Sequence, residues 1–509
     1  MAFENLIAEL QQRRQAALAM GGPDKLAQRA EQGLLNARSR IDYLVDDRSF
    51  YESGALSEAA YGKPGTAPSD GKIAGYARID GRDVVIVSND FTVKGASSSA
   101  TNMRKIGQMR RVAQARGMPM VWLGESSGAR MPDNQGARGM TTMLGNDPTQ
   151  YQRMRETPWA SAVLGYCYGS SFLYNCCSDF SVMRKGAVMA VSSPGLIELA
   201  TMQKIEPEQL GGWKVHSEIT GMVDMVADSD EEALDAIKRF LAYMPSNHTQ
   251  TPPRADVPAG SGEGMAGILD LLPESRTRVY DVHRIIAAIV DRDSFFELKP
   301  RFGKVAVTGL ARLDGQVVGM IANNPLIKGG AMDTDACDKI VDFIVLCDSF
   351  NIPLVMLVDT PGFMIGAEPE LRRATGKIVN FMNALQLVTV PKLSVILRKT
   401  YGQAYLNMGG GRNSDEVAAW PTAEISFMTP EFGTTIVHGL RPGDAGFEQR
   451  RDEMAQDNSI WGAAALYGVQ HVIDPRETRS YLIRMLQVHQ LRLNNGVGQH
   501  LLRTWPTSS

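Results

Sequence analysis

The sequence predicts an α/β protein made of two tandem, homologous domains, and three observations carry that reading. Stretches of the first half recur in the second at a constant spacing. Within each copy, strand-like apolar runs alternate with helical ones, and a polar segment rich in Pro and Gly lies between the copies. Gly81 and Gly315, Lys94 and Lys328, Pro119 and Pro353, and Gly128 and Gly362 are each 234 positions apart. An earlier pair, DDRSFYE at Asp46 and DRDSFFE at Asp291, is 245 apart. The first copy therefore carries about eleven extra residues, expected in the loop GALSEAAYGKPGTAPSDG.

Taken in order, the N-terminal MAFENLIAELQQRRQ mixes acids and bases, so an amphipathic helix is expected there and not a signal peptide. Each copy then has a strand pair around Asp-Gly (DVVIVS, VVGMIAN) and a helical stretch (MRKIGQMRRVAQAR, CDKIVDFIVLCDSF). A buried apolar strand (PMVWLG, PLVMLVD) follows and ends in a Gly-containing turn. Strands alternating with helices imply parallel packing in both halves. The segment MPSNHTQTPPRADVPAGSGEG marks an exposed connection, so the domains are expected at 1–243 and 265–509, with a linker over 244–264.

Composition narrows the function classes. A net charge of −3 offers no basic surface for nucleic acid or membrane. No apolar run reaches membrane-spanning length. Five cysteines, an odd number without framework spacing, fit free thiols in a reducing compartment, so a cytoplasmic protein is expected.

Three motifs resemble known sites and fail on context. GEGMAG at Gly262 matches G-x-G-x-x-G but follows a Pro-rich linker and not a strand. GGGRNSDE at Gly409 lacks the Lys-Ser/Thr of a phosphate loop and reads as a plain turn. GESSG at Gly124 fits a nucleophile elbow with Ser126 as the nucleophile, yet Pro132 and further glycine obstruct the helix such an elbow needs. Its counterpart in the second half is VDTPG, and a serine hydrolase has no need of that turn twice.

GYCYGSSFLYNCCSDF gathers Cys167, Cys176 and Cys177. At the spacing of 234 these match Tyr401, Gly410 and Gly411, so no cysteine recurs, and a metal site would want more ligands. The cysteines are expected to be buried small hydrophobes, and no metal is expected in this chain. What recurs is a small-residue turn opening into an apolar helix, SSFLYNCC and AYLNMGG. Unpaired N–H groups at such a turn can hold a carbonyl oxygen as charge develops on it, worth about 3–4 kcal/mol per donor. Two copies, each preceded by a second small-residue turn (SSGAR, TPGFM), point to two oxyanion holes and a reaction with two enolate-like species.

DFTVKGASSS, ESSGARM, GYCYGSS, ELGGWKVHSEITGMVD, DTPGFMIGAE, VILRKTYGQAYLNM and AAWPTAEISFM resemble, in order, the signature blocks of biotin-dependent acyl-CoA carboxylase carboxyltransferase (β) subunits. The likeness runs over essentially the whole chain. It implies two crotonase-like (ββα superhelix) domains, the first on the acyl-CoA side and the second on the biotin side. It places the acyl-CoA thioester carbonyl at the N–H groups of Gly169 and Ser170, and the ureido oxygen of carboxybiotin at those of Gln403 and Ala404. Tyr168, Gly128, Ala129, Gly362, Phe363 and Leu406 are expected to contact the substrates. Neither turn carries a His or Glu, in keeping with a family mechanism that needs no side-chain base. The family commonly has Ala at Tyr168, Gly-Gly at Gly169-Ser170 and Gly-Ala at Gln403-Ala404, so the pocket here is expected to be narrower or more polar. The chain has no Met-Lys-Met biotinylation site and no ATP-binding half. Biotin is therefore expected on a partner, a biotin carboxylase or biotin carrier subunit. The family also implies a homo-oligomer, a hexamer in preference to a dimer. Alternatives are the same subunit in an acyl-CoA decarboxylase, a non-catalytic acyl-CoA-binding assembly subunit, and the serine hydrolase at Ser126.

Overall fold

The computed structural model of the protein describes residues 2–60, 63–131, 133–144, 147–275 and 277–506. Pro132, invoked above against a nucleophile elbow, lies outside the described residues. A helix over Ala2–Leu18 forms where the amphipathic pattern predicts it.

The chain divides into two units, Met1–Asn247 and His248–Trp505. In the first, β1 (Tyr51–Glu52), β2 (Lys72–Ile79) and β3 (Arg82–Asn89) are antiparallel. The sheet continues in parallel through β4 (Met120–Ser127), β5 (Trp159–Tyr168), β6 (Phe180–Arg184) and β8 (Met225–Ala227), while β7 (Val188–Ala190) pairs with the end of β5. The second unit repeats this order. Antiparallel β9 (Phe296–Leu298), β10 (Ala306–Leu313) and β11 (Gln316–Asn323) lead into parallel β12 (Leu354–Thr360), β13 (Lys392–Tyr401), β14 (Glu416–Ala419) and β16 (His471–Val472). There β15 (Glu424–Ser426) pairs with the end of β13. The extra residues of the first copy lie between β1 and β2, as expected.

Local chemistry explains the elements. Asp80-Gly81 and Asp314-Gly315 both have positive φ, the two-residue turn whose twist suits a hairpin. The Ala100–Arg116 helix starts at a Ser99/Asn102 capping box, and Asp333 caps the Thr334–Ser349 helix. β4 and β12 run through the core, with Val121, Trp122, Leu123, Val355, Met356 and Leu357 all fully buried, which is why they read as unbroken apolar runs. Residues 248–264 lie along the second unit, where the Ala255 N–H donates to Gly315 O at 3.0 Å.

The two units brace their central strands differently. Glu125 on β4 and Asp359 on β12 are equivalent buried carboxylates. Asp359 pairs with Arg398 of the neighbouring β13 at 3.0 Å. In the first unit Gly165 stands at that place, and a Cβ there would lie 2.3 Å from Glu125 Oε1. Glu125 is instead held by two arginines from the N-terminal helices, Arg29 at 3.0 Å and Arg40 at 2.7 Å, and Arg40 also reaches Asp230 at 2.9 Å. Without Arg40, Glu125 would keep only Arg29 and Asp230 only Arg184, which leaves the buried cluster one positive charge short, so Arg40→Met is expected to lose about 3 kcal/mol of stability. Urea unfolding of the variant against the wild-type protein measures this, and a loss near zero would show the cluster to be hydrated.

Candidate active site

Each unit builds a site from two turns at the ends of adjacent parallel strands. After β4, Gly128 has φ 105° and its N–H donates to Ser126 Oγ at 3.1 Å. The Ser98 N–H donates to Gly128 O at 2.8 Å, and the Arg130 N–H donates back to Ser98 O at 2.9 Å. This small parallel bridge uses the groups on either side of Ala129 and leaves the Ala129 N–H without an acceptor among the described residues. The second unit does the same. Gly362 has φ 127° and donates to Thr360 Oγ1 at 3.2 Å. Met332 N–H bonds Gly362 O at 2.9 Å and Met364 N–H bonds Met332 O at 2.8 Å, which leaves the Phe363 N–H free among the described residues.

The second turn follows β5 and β13. Gly169 has φ 63° and ψ −136°, and Gly402 has φ 58° and ψ −141°, a conformation essentially reserved for glycine. The chain then turns into the short helices Ser170–Cys176 and Gln403–Asn407. The N–H groups of Ser170 and Ser171, and of Gln403 and Ala404, have no acceptor among the described residues, as expected for first-turn amides. The Gly402 N–H is already bonded to Ser426 O at 2.9 Å, so the donors of the second unit begin at Gln403.

The matching dihedral angles correct the alignment of this block. Gly169 is equivalent to Gly402, and Ser170 to Gln403, so the spacing here is 233 and not 234. Tyr168 therefore matches Tyr401, and Cys167, Cys176 and Cys177 match Thr400, Gly409 and Gly410, still without a cysteine. All five cysteines are free. Burial pushes the Cys167 and Cys176 thiols up to about 12, so they stay protonated.

In the first unit the two turns touch. A Cβ on Gly169 would lie 3.1 Å from Gly128 Cα and 3.5 Å from Ala129 N. The expected site residues Gly128, Ala129, Gly169 and Ser170 thus come together around one spot rimmed by backbone donors. In the second unit the Gly362 turn faces the end of β13, where a Cβ on Gly362 would lie 3.8 Å from Tyr401 O. This gathers Gly362, Phe363, Gln403 and Ala404.

The side chains around these turns are largely turned away from the donors. The Gln403 amide donates to Asn407 Oδ1 at 3.1 Å, back along its own helix. Tyr168 is buried and stacked on the half-exposed Tyr166 ring at 5.9 Å, and burial raises its hydroxyl to about 12, so it stays a neutral phenol. Leu406 is half-buried, one helical turn beyond Gln403, and packs over Gly411. Sequence reasoning missed Ser98, whose hydroxyl meets that of Ser170. The repeat carries no signal for it, because its counterpart is Met332.

The look-alike motifs resolve as packing. Ser126 is fully buried, its hydroxyl donating to Ala96 O at 3.1 Å and accepting from Gly128 N, and the helix after the turn begins only at Gly136. Its work is that of Thr360 in the other unit. Ser126→Ala is therefore expected to keep most of the turnover, and loss of all activity together with labelling by a serine-directed reagent would point back to a nucleophile. Gly262 opens a 3₁₀ helix with no strand before it. A Cβ on Gly409 would lie 2.1 Å from Ser414 Oγ, so its glycine answers to packing.

A carboxyl transferase domain family matches residues 28–495. The propionyl-CoA carboxylase carboxyltransferase subunit of Haloferax mediterranei is 34% identical over 506 residues, covering 96% of each chain. The methylmalonyl-CoA carboxyltransferase 12S subunit of Propionibacterium freudenreichii subsp. shermanii is 32% identical, covering 96% of this chain and 94% of that one. Among solved structures, the transcarboxylase 12S hexamer with methylmalonyl-coenzyme A and methylmalonic acid bound superposes with a TM-score of 0.89 at 32% identity, covering 96% of each chain.

Proposed function

The chain belongs to the carboxyl transferase family, and from that premise we propose that it moves a carboxyl group from carboxybiotin to the α carbon of an acyl-CoA. The observation that carries the reading is the doubled site: two equivalent pairs of turns, each with backbone N–H groups that have no acceptor among the described residues. One pair serves the thioester oxygen and the other the ureido oxygen.

The first unit holds the acyl-CoA. At the bend made by Gly169, the N–H groups of Ser170 and of Ala129 receive the thioester oxygen and stabilise the negative charge that grows there as the α carbon loses its proton. In the second unit, Gln403 and Ala404 fit the biotin ureido carbonyl, a single neutral oxygen that wants donors and no counter-charge. When bound, carboxybiotin supplies the CO2 and the base. The protein's own residues orient both oxygens, and Tyr168 beside the first turn stays a neutral phenol. Run in reverse, the same donors serve a decarboxylation.

The apolar Leu406 beyond the turn of the second unit favours an acyl group larger or less polar than acetyl, while Tyr168 and Ser170 narrow or polarise the pocket of the first. We further propose a homo-oligomer, a hexamer in preference to a dimer. The hexameric 12S structure supports this, as do the apolar side chains that follow β7 and β15, Val191, Leu199 and Met202 in one unit and Phe427, Phe432 and Ile436 in the other, all at least 60% exposed. A biotin carrier or biotin carboxylase subunit would be the partner. Free thiols favour a cytoplasmic setting. No helix among the described residues is long and apolar enough to cross a membrane.

The test is to isolate the protein from its host with its biotinylated partner and assay carboxyl transfer over short and long acyl-CoAs. Carboxylation of an acyl-CoA, with a preference changed about tenfold or more by Leu406→Asp, is expected. No biotinylated partner and no transfer would overturn the reading.

A further inference from the structure

The hydroxyls of Ser98 and Ser170 are in hydrogen-bond contact where the two turns of the first unit meet. Ser98 is held rigidly. Its N–H bonds Gly128 O, and its carbonyl accepts from the Arg130 N–H and from Asn134 Nδ2 at 2.7 Å. It is 1% exposed, whereas Ser170 is half-buried and faces the open side. Each hydroxyl brings one proton, and the bond between them uses one. Neither oxygen has another partner among the described residues.

Burial decides which proton is used. Were Ser170 to donate inward, the Ser98 proton would be enclosed with no acceptor, a costly arrangement. Donation from Ser98 to Ser170 avoids that and leaves the Ser170 O–H pointing outward, beside the Ala129 and Ser170 N–H groups. The second unit has nothing comparable, since Met332 and Gln403 stand at these places and the Gln403 amide is bonded to Asn407.

We propose that the Ser170 hydroxyl is a third donor of the acyl-side hole, a catalytic residue oriented by Ser98, which is a positioning residue. It donates to the thioester oxygen, and the bond strengthens as that oxygen becomes an enolate, because hydrogen bonds to an anion are about twice as strong as neutral ones. The proton stays on Ser170, so no further acid or base takes part. The inference rests on the acyl-CoA reading of the first unit.

The test uses the enzyme with its biotin-bearing partner. Ser170→Ala is expected to lower kcat about ten- to a hundredfold with KM for acyl-CoA within about twofold, the pattern of a bond made mainly in the transition state. Ser98→Ala is expected to cost less, about threefold, since it removes orientation and not the donor. Ser170→Thr, which keeps a hydroxyl, is expected to recover most of kcat. Calorimetry supplies a readout that does not depend on turnover. A nitro analogue of the acyl-CoA, which carries an enolate-like charge, is expected to bind Ser170→Ala about tenfold more weakly while the acyl-CoA itself binds unchanged. Equal weakening of both ligands, or kcat of Ser170→Ala within about twofold of wild type, would overturn the proposal. Failure of the wild-type protein to bind acyl-CoA at all would overturn the acyl-CoA reading, and this proposal with it.

Discussion

Replacing Gln403 with proline is expected to lower turnover by about two orders of magnitude or more while the protein stays folded. The position suits the test. Gln403 is the first residue of its helix, where proline is favoured because its fixed φ is helical and the missing N–H has no helical partner. Gly402 before it is non-helical, with ψ −141°, so proline does not force it out of place. Among the described residues the Gln403 side chain contributes a bond to Asn407, and Gln403→Ala controls for that loss. The substitution thus deletes one donor and little else. Steady-state kinetics with the biotinylated partner give the cost, and circular dichroism and thermal melting check the fold. Affinity for acyl-CoA, which the proposed function assigns to the other unit, is expected to be unchanged in calorimetry. Turnover close to that of Gln403→Ala would mean that the ureido oxygen is held by something other than this amide.

Gly169→Ala is expected to have an effect of similar size on the acyl side, about a hundredfold in kcat. Two causes act together. The backbone at φ 63° and ψ −136° costs a residue with a side chain about 1–3 kcal/mol. The new methyl would also sit 3.1 Å from Gly128 Cα and 3.5 Å from Ala129 N, against the other half of the hole. Either the two turns move apart or Gly169 flips, and both take the donors out of register. Gly443→Ala is the control. Gly443 also has positive φ, but a Cβ there meets nothing within 4 Å. It pays the backbone strain without touching the site, so it is expected to lower the melting temperature slightly and leave kcat alone. Equal loss of activity in both variants would assign the effect of Gly169→Ala to stability.

Much of this was legible in the residues. The Asp-Gly hairpins and the apolar runs of β4 and β12 are local signals, and each formed where its pattern lay. Gly128, Gly169 and Gly362 were picked out as small residues in repeated turns, and all have positive φ. The one-residue slip that pairs Gly169 with Gly402 was not legible. A fixed spacing carries across a loop only when the loops have equal length, and side chains as different as Ser170 and Gln403 give no local correction. The dihedral angles of the two glycines do.

By itself the sequence determined that there are two copies of one α/β unit, the order of their strands and helices, and which turns need glycine, because propensity and burial pattern act over a few residues. The tertiary structure alone decided which N–H groups stay free, since hydrogen-bond satisfaction is a non-local account: Ser426 takes the Gly402 amide and leaves that of Gln403. It also decided that Arg29 and Arg40 answer Glu125 where Gly165 replaces the arginine of the other unit, and that Ser98 meets Ser170. A buried charge or hydroxyl must find a partner, but only the packing of distant segments says which one lies within reach.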